Sequence, residues 1–229
     1  MRKCKQMSKL FILDIDDYLE CIPSNEILSL ISQNKKNRIA QYKNKYNINQ
    51  CIYADLLLIF VLMEYYNKSL SAELIETDVY GKPYLRNHSL EFNLSHSGGK
   101  IICGISNENI GVDIEKITLK KHEIFIPAFF SEKDIKYIFE DDDKMVNRFY
   151  KIWVKYESYS KMVGKGIPYL YQNNNKESLD EANFYLHVLC EDYIVGIYCI
   201  EQISDIVHVS MERINTFFER KLHYETSIK

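Results

Sequence analysis

Gly111-Val112-Asp113-Ile114-Glu115, at the middle of the 229-residue chain, is the stretch whose reading decides the fold. A glycine leads into a strict alternation of apolar and acidic residues. Successive side chains of an extended strand point to opposite faces, so Val112 and Ile114 share one face while Asp113 and Glu115 share the other. Taken alone, this is a half-exposed strand with two acids on its wet side. Two neighbouring carboxylates repel, however, unless a cation sits between them, so the same pair beside buried residues is also a candidate divalent-metal site. The choice between the two rests on what flanks the stretch.

Working outward, Lys100 to Ser106 and Ile110 to Glu115 read as paired strands across an Asn107-Glu108-Asn109 turn. Before them, Glu91 to Leu94 leads into Ser95-His96-Ser97-Gly98-Gly99, and Ile75 to Val79 leads into a Gly81-Lys82-Pro83 turn. Ile52, Leu56, Ile59, Phe60 and Met63 recur at helical spacing, which predicts a core helix ended by residues 67–71. Leu10 to Ile15 reads as a first strand, and Ser24 as the cap of a helix carrying Ile27, Leu28 and Ile31. Downstream, Ser131 caps a helix with Asp134 three residues on. A longer helix spans Met145 to Met162 and stops at Gly164-Lys165-Gly166 and Pro168. After a polar loop, residues 172–181, Phe184 to Cys190 and Tyr193 to Ile200 form a hairpin, followed by a short strand at Ile206 to Val209. Each half offers a helix and antiparallel strands. The expectation is an α+β fold of two similar halves, residues 1–108 and 109–229.

Composition narrows the function. An apolar fraction of 46% with 27% charged residues suits a globular protein with a real core, and a net charge of −3 without a basic run argues against nucleic-acid binding. The longest apolar run, Leu56 to Met63, is far below membrane-spanning length. The N-terminal apolar segment is too short for a signal-peptide core. Six cysteines without zinc or C-x-x-C spacing read as reduced thiols, which predicts a cytoplasmic protein.

Three clusters could converge on one site. Gly81-Lys82-Pro83 with Asn93 to Ser97 supplies a lysine, a hydroxyl and an imidazole, donors suited to phosphate oxygens. Asp113 and Glu115 form the second cluster. In the third, Trp153, Glu157 and Lys161 stand at i, i+4 and i+8 and so on one helix face. Singly, each has a plainer reading as a polar turn, a wet strand face, or a surface ion pair beside a core tryptophan. Together they make a site for magnesium-assisted attack at a phosphate or pyrophosphate, with no substrate named.

The run from Tyr80 to Ile117, then Phe129 to Asp134 and Trp153 to Ile167, resembles the surfactin-synthetase-activating type of 4'-phosphopantetheinyl transferase. Gly81-Lys82-Pro83, Phe92-Asn93-Leu94-Ser95-His96-Ser97, Gly111 to Glu115, and Trp153 to Gly166 appear in the family's order and at similar spacing, over about two fifths of the chain. The resemblance implies two pseudo-twofold-related α+β subdomains with the active site in the cleft between them. It implies transfer of 4'-phosphopantetheine from coenzyme A to a serine of an apo acyl or peptidyl carrier protein, with release of adenosine 3',5'-bisphosphate. Matched by position, Asp113, Glu115 and Glu157 are metal carboxylates for Mg2+, and Glu157 is also the general base. Ser95 and His96 contact coenzyme A, with His96 and Lys161 also counted among the catalytic residues. Lys82 and Lys161 hold phosphates, and Lys35 and Arg38 align with residues on the 3'-phosphate. No nucleic acid or membrane is implied, and a monomer is expected.

Two departures stand out. Tyr156 occupies the place of the lysine that precedes the catalytic glutamate in the family, with Lys155 about 100° away around the helix. Gln50 replaces an arginine five residues before Asp55, leaving Lys35, Lys36 or Arg38 to compensate. These departures keep open a relative that docks a carrier or coenzyme A but transfers poorly, and the carboxylate set alone also suggests a different magnesium enzyme such as a pyrophosphatase-like hydrolase. Phe125 to Phe130 is a candidate carrier-docking edge, and Asp141 to Asp143 is an acidic run facing a partner or water.

Overall fold

The computed structural model describes residues 8–226 except 21–22, 32, 67–74, 173–178 and 180. Its layers follow from strands that are apolar on both sides. Strand β1 (Ser8–Asp14) pairs antiparallel with β5 (Lys100–Ser106), which pairs antiparallel with β4 (Glu91–Ser97). On the other edge of β1 lies β9 (Ile203–Val209), in parallel. A second sheet holds β6 (Ile110–Lys116), β8 (Tyr193–Cys199) and β7 (Phe184–Leu189) in the order β6-β8-β7, all antiparallel. A small hairpin, β2 (Ile75–Thr77) and β3 (Pro83–Leu85), turns at Gly81 with φ +89°, a conformation that favours glycine.

Period two sorts the side chains between layers. Phe11 and Leu13 of β1 pack against helix α3 (Lys45–Tyr66), while Leu10 and Ile12 face Val112 and Ile114 of β6 and Val195 and Ile197 of β8. The two sheets therefore meet face to face, with α3 and the C-terminal helix α7 (Met211–Thr226) outside the first. Outside the second sheet lie α4 (Glu132–Phe139) and α5 (Met145–Val163), where Ile194 joins Phe149, Val154 and Tyr156. Helix α3 is long and apolar enough to cross a membrane by composition, but 78% of its most apolar window is buried inside the molecule. A helix apolar on all sides is what a core position requires. Among the described residues the remaining helices are short: α1 (Asn25–Ser29), capped by Ser24 as expected, α2 (Gln33–Ile39) and α6 (Ile167–Gln172).

Three expectations need correction. The strands at residues 100–106 and 110–116 are not a hairpin: the chain leaves the first sheet at Ser106 and opens the second at Ile110. Residues 203–226 do not stay with the second half, because β9 pairs with β1 and α7 packs on the first core. The last strand also begins at Ile203, three residues before its expected start. The expected helix stop at residues 67–71 and most of the expected 172–181 loop lie outside the described residues.

Two glycines let α5 lie close on the second sheet. A Cβ on Gly111 would overlap the Ser158 carbonyl oxygen and the Met162 amide, and one on Gly196 would meet the Val154 carbonyl. Gly196 stands directly across from Asp113 in the β6–β8 register. Gly111→Ala is therefore expected to lower stability by roughly 1–3 kcal/mol, an overpacking cost, seen as a lower urea midpoint at unchanged slope.

Candidate active site

Strand β6 and helix α5 bring the carboxylates together. Asp113 is 3% exposed, and its Oδ1 accepts hydrogen bonds from Lys161 Nζ at 2.6 Å and Ser95 Oγ at 2.9 Å. Glu115 accepts from Ser97 Oγ through Oε2 at 3.1 Å and from Trp153 Nε1 through Oε1 at 3.3 Å. Trp153, Glu157 and Lys161 share the α5 face predicted by their spacing. Burial, then the Asp113 charge, raises the Glu115 carboxyl against the hydrogen bonds that favour its ionised form. Glu157 is pushed up to about 7 by burial and by repulsion from Asp113 and Glu115, against the opposing pull of Lys161. The three acids thus sense one another.

A cavity of 340 Å³ opens beside them. Lys35, Arg38, Lys82, Lys161 and His96 line it, and among the described residues no carboxylate does. Lys35 Nζ pairs with buried Asp55 at 2.8 Å, which holds the lysine at the wall. Lys82 Nζ donates to the Met162 carbonyl at 3.1 Å, and burial draws its ammonium below the usual lysine value. His96 stands at the cavity with its imidazole lowered to about 4, first by lost hydration and then by Lys161, Lys35 and Arg38. It is neutral at neutral pH and can donate or accept one hydrogen bond at each nitrogen. Lys161 belongs to both places, lining the basic cavity and bonding Asp113.

The residues fit a divalent cation by one observation in particular. Asp113 Oδ2 is buried with no hydrogen-bond partner among the described residues, an expensive state for a carboxylate oxygen and one that a cation would relieve. Oxygen ligands from Asp113, Glu115 and Glu157 are the hard donors that magnesium takes. Among the described residues no three such groups close into a finished metal cage, and Lys161 supplies the positive charge on Asp113.

A family model described as the 4'-phosphopantetheinyl transferase superfamily matches residues 109–212. The 4'-phosphopantetheinyl transferase Sfp of Bacillus subtilis (strain 168) is 30% identical over 161 residues, covering 69% of this chain and 71% of the relative. The chain belongs to the 4'-phosphopantetheinyl transferase superfamily. The transferase gsp of Aneurinibacillus migulanus extends the likeness to 91% of this chain and 92% of its own, at 25% identity over 223 residues. The putative 4'-phosphopantetheinyl transferase of Haemophilus influenzae (strain ATCC 51907 / DSM 11121 / KW20 / Rd) is 28% identical over 156 residues, covering 65% of this chain and 64% of its own. This is therefore an enzyme of the α+β transferase fold that modifies carrier proteins.

The geometry also gives the other singled-out residues their surroundings. Ser95, expected on coenzyme A, is buried, and its hydroxyl is taken up by Asp113, Lys161 and the Ile114 amide. Tyr156 does not face the cleft: its hydroxyl donates to Asp134 Oδ2 at 2.8 Å and its ring stacks on Phe130. Lys155 is equally buried, with Nζ 2.6 Å from Asp134 Oδ1. The departure at Tyr156 is thus a core arrangement joining α5 to the capped start of α4. Gln50 Nε2 donates to the Gly98 carbonyl at 2.6 Å and braces the turn after His96, while Lys35 and Arg38 line the cavity. In the proposed docking edge, Phe129 and Phe130 are core, and Phe125 alone of the three phenylalanines is exposed, at 56%. Asp141 caps a single 3-10 turn, and Lys121 pairs with Asp142 and Asp143, so the acidic run is matched within the chain. Cys51, Cys103 and Cys199 are buried free thiols and Cys190 is exposed.

Proposed function

We propose that this transferase moves 4'-phosphopantetheine from coenzyme A to a serine of an apo peptidyl or acyl carrier protein, with Mg2+ held by Asp113, Glu115 and Glu157. One observation carries the reading: Lys161 joins a cavity lined by cations to a buried, incompletely satisfied carboxylate cluster. Lys35, Arg38 and Lys82 would neutralise the phosphates of the adenosine moiety, and neutral His96 would orient them by hydrogen bonding. The carrier serine oxygen forms a bond to the pantetheine-side phosphorus, and the bond from that phosphorus to the bridging oxygen breaks. Adenosine 3',5'-bisphosphate leaves with that oxygen. Glu157, on the α5 face beside Lys161, would accept the serine proton. When bound, a divalent cation supplies Lewis-acid stabilisation of charge on the pyrophosphate oxygens. Both halves of the site come from one chain, which supports a monomer, and the free thiols support a cytosolic setting.

The test is the intact mass of an apo carrier protein after incubation with coenzyme A, Mg2+ and the full chain. Gain of one phosphopantetheine, lost when metal is removed, is the expected result. Coenzyme A hydrolysis without carrier modification would replace this reading with that of a pyrophosphate hydrolase. Arg38→Ala is expected to raise KM for coenzyme A about tenfold with kcat little changed, since its charge would act on the ground state and the transition state alike. Steady-state kinetics with coenzyme A varied checks it.

A further inference from the structure

The two sheets touch along a seam that uses no backbone pairing. Asn93 Oδ1 accepts from the Val112 amide at 3.0 Å, Ser95 Oγ from the Ile114 amide at 3.4 Å, and Ser97 Oγ from the Lys116 amide at 3.0 Å. Each rung joins residues 19 apart, so β4 and β6 run side by side in the same direction and in constant register. Both strands are edges of their own sheets. Every second side chain of β4 stands where a carbonyl of a neighbouring strand would, and satisfies the outward amides of β6. A serine hydroxyl has one donor and two acceptor lone pairs, so it can do a second task at once. Ser95 gives its proton to Asp113 Oδ1 and Ser97 gives its proton to Glu115 Oε2, while Asn93 touches no carboxylate.

We propose that Ser97 and Ser95 are positioning residues for the metal carboxylates. Each hydroxyl fixes a β6 amide and the neighbouring acid together, so the seam between the halves also aims Asp113 and Glu115 at the cation. Trp153 Nε1 completes this for Glu115, leaving its two oxygens held from opposite halves of the molecule. The inference rests on the proposed metal role of Asp113 and Glu115. Hydroxyls behind metal-bound carboxylates act as outer-shell partners, and losing one typically weakens metal binding about 10–100-fold.

Two readouts on the full-length chain test it: amide hydrogen exchange across β6, and Mn2+ binding followed by electron paramagnetic resonance with and without coenzyme A. Ser97→Ala should speed exchange at the Lys116 amide and weaken Mn2+ binding about tenfold or more. Ser97→Thr, which keeps the hydroxyl, should restore both. Asn93→Ala should speed exchange at Val112 with Mn2+ affinity in the absence of coenzyme A within about twofold of wild type, because it removes a rung without touching an acid. If the alanine variant fails to fold, Ser97→Cys, with a weaker donor of similar size, carries the same comparison. Unchanged Mn2+ affinity in Ser97→Ala, or no rescue by threonine, overturns the positioning role. Failure of the wild-type chain to bind Mn2+ under either condition overturns the metal reading itself, and the inference with it.

Discussion

Glu157→Gln protein is expected to bind coenzyme A and to leave the carrier almost unmodified, with the transfer rate down roughly 10²–10⁴-fold, the usual range for loss of general-base help. Glutamine preserves the side chain's size and its place on α5 between Trp153 and Lys161, so the change is one of charge and basicity. In the metal-free protein, burial and repulsion from Asp113 and Glu115 push the Glu157 carboxyl up to about 7, a position shared with two other acids rather than that of an exposed glutamate. Single-turnover carrier modification, read by intact mass, separates this from an effect on product release. Near-normal transfer by folded Glu157→Gln would remove Glu157 from the proton-accepting role while leaving the cavity assignments standing.

Asp134→Ala is expected to be the most destabilising single substitution considered, by about 3–5 kcal/mol, although Asp134 touches nothing in the cleft. Its carboxylate holds Lys155 Nζ at 2.6 Å, the Tyr156 hydroxyl at 2.8 Å and the Ser131 hydroxyl at 2.6 Å. Removing it leaves an ammonium that is only 3% exposed with the exposed Glu181 carboxylate, 3.9 Å away, as its remaining ion-pair partner. The cost is that of a buried charge left with one long, solvent-exposed ion pair, so replacing both Asp134 and Lys155, as Asp134→Leu with Lys155→Met, should recover most of it. Urea unfolding of the two variants makes the comparison. If Asp134→Ala alone has nearly wild-type stability, Lys155 must find water or another partner, and the cluster is not a core element.

The same group sets an acid limit. Burial alone would raise the Asp134 carboxyl, but the bonds from Lys155, Ser131 and Tyr156 outweigh it and hold it below its ordinary value. A carboxylate depressed in the folded state stabilises the fold above its unfolded value of about 3.9, and that contribution fades as pH falls through the folded value. Wild-type stability should therefore drop with acidification below about pH 4 more steeply than that of the Asp134→Leu/Lys155→Met protein.

Several features were legible in the residues themselves. The alternation in Gly111 to Glu115 placed Asp113 and Glu115 on one face, and the i, i+4, i+8 spacing placed Trp153, Glu157 and Lys161 on one face of α5. Those are local periodicities, set by the geometry of a strand and a helix. The Ser131–Asp134 cap was readable for the same reason: its hydrogen bonds span three residues. The ordered motifs also carried the family, which the relatives bear out.

Other features depend on partners far away in the chain. Tyr156 stood out as a departure with Lys155 about 100° around the helix, and only Asp134, more than 20 residues earlier, shows that both are core. Ser95 was read as a coenzyme A contact, and its bonds to Asp113, Ile114 and Lys161 were not legible in the residues. The Asn93-x-Ser95-x-Ser97 alternation was visible, yet its meaning required knowing that β6 runs alongside β4 rather than folding back on β5. Likewise the return of β9 to β1 could not be read locally, because its apolar pattern suits either sheet.

The central stretch thus divides the two kinds of knowledge. Its sequence determined that it would be a strand with an acidic face and an apolar one, because that follows from backbone geometry alone. Only the tertiary structure decided what the acidic face meets: a helix brought close by Gly111 and Gly196, a lysine shared with a basic cavity, and two serines from the other sheet. Charge and hydrogen-bond complementarity act through space, and proximity in space is what a linear pattern does not carry.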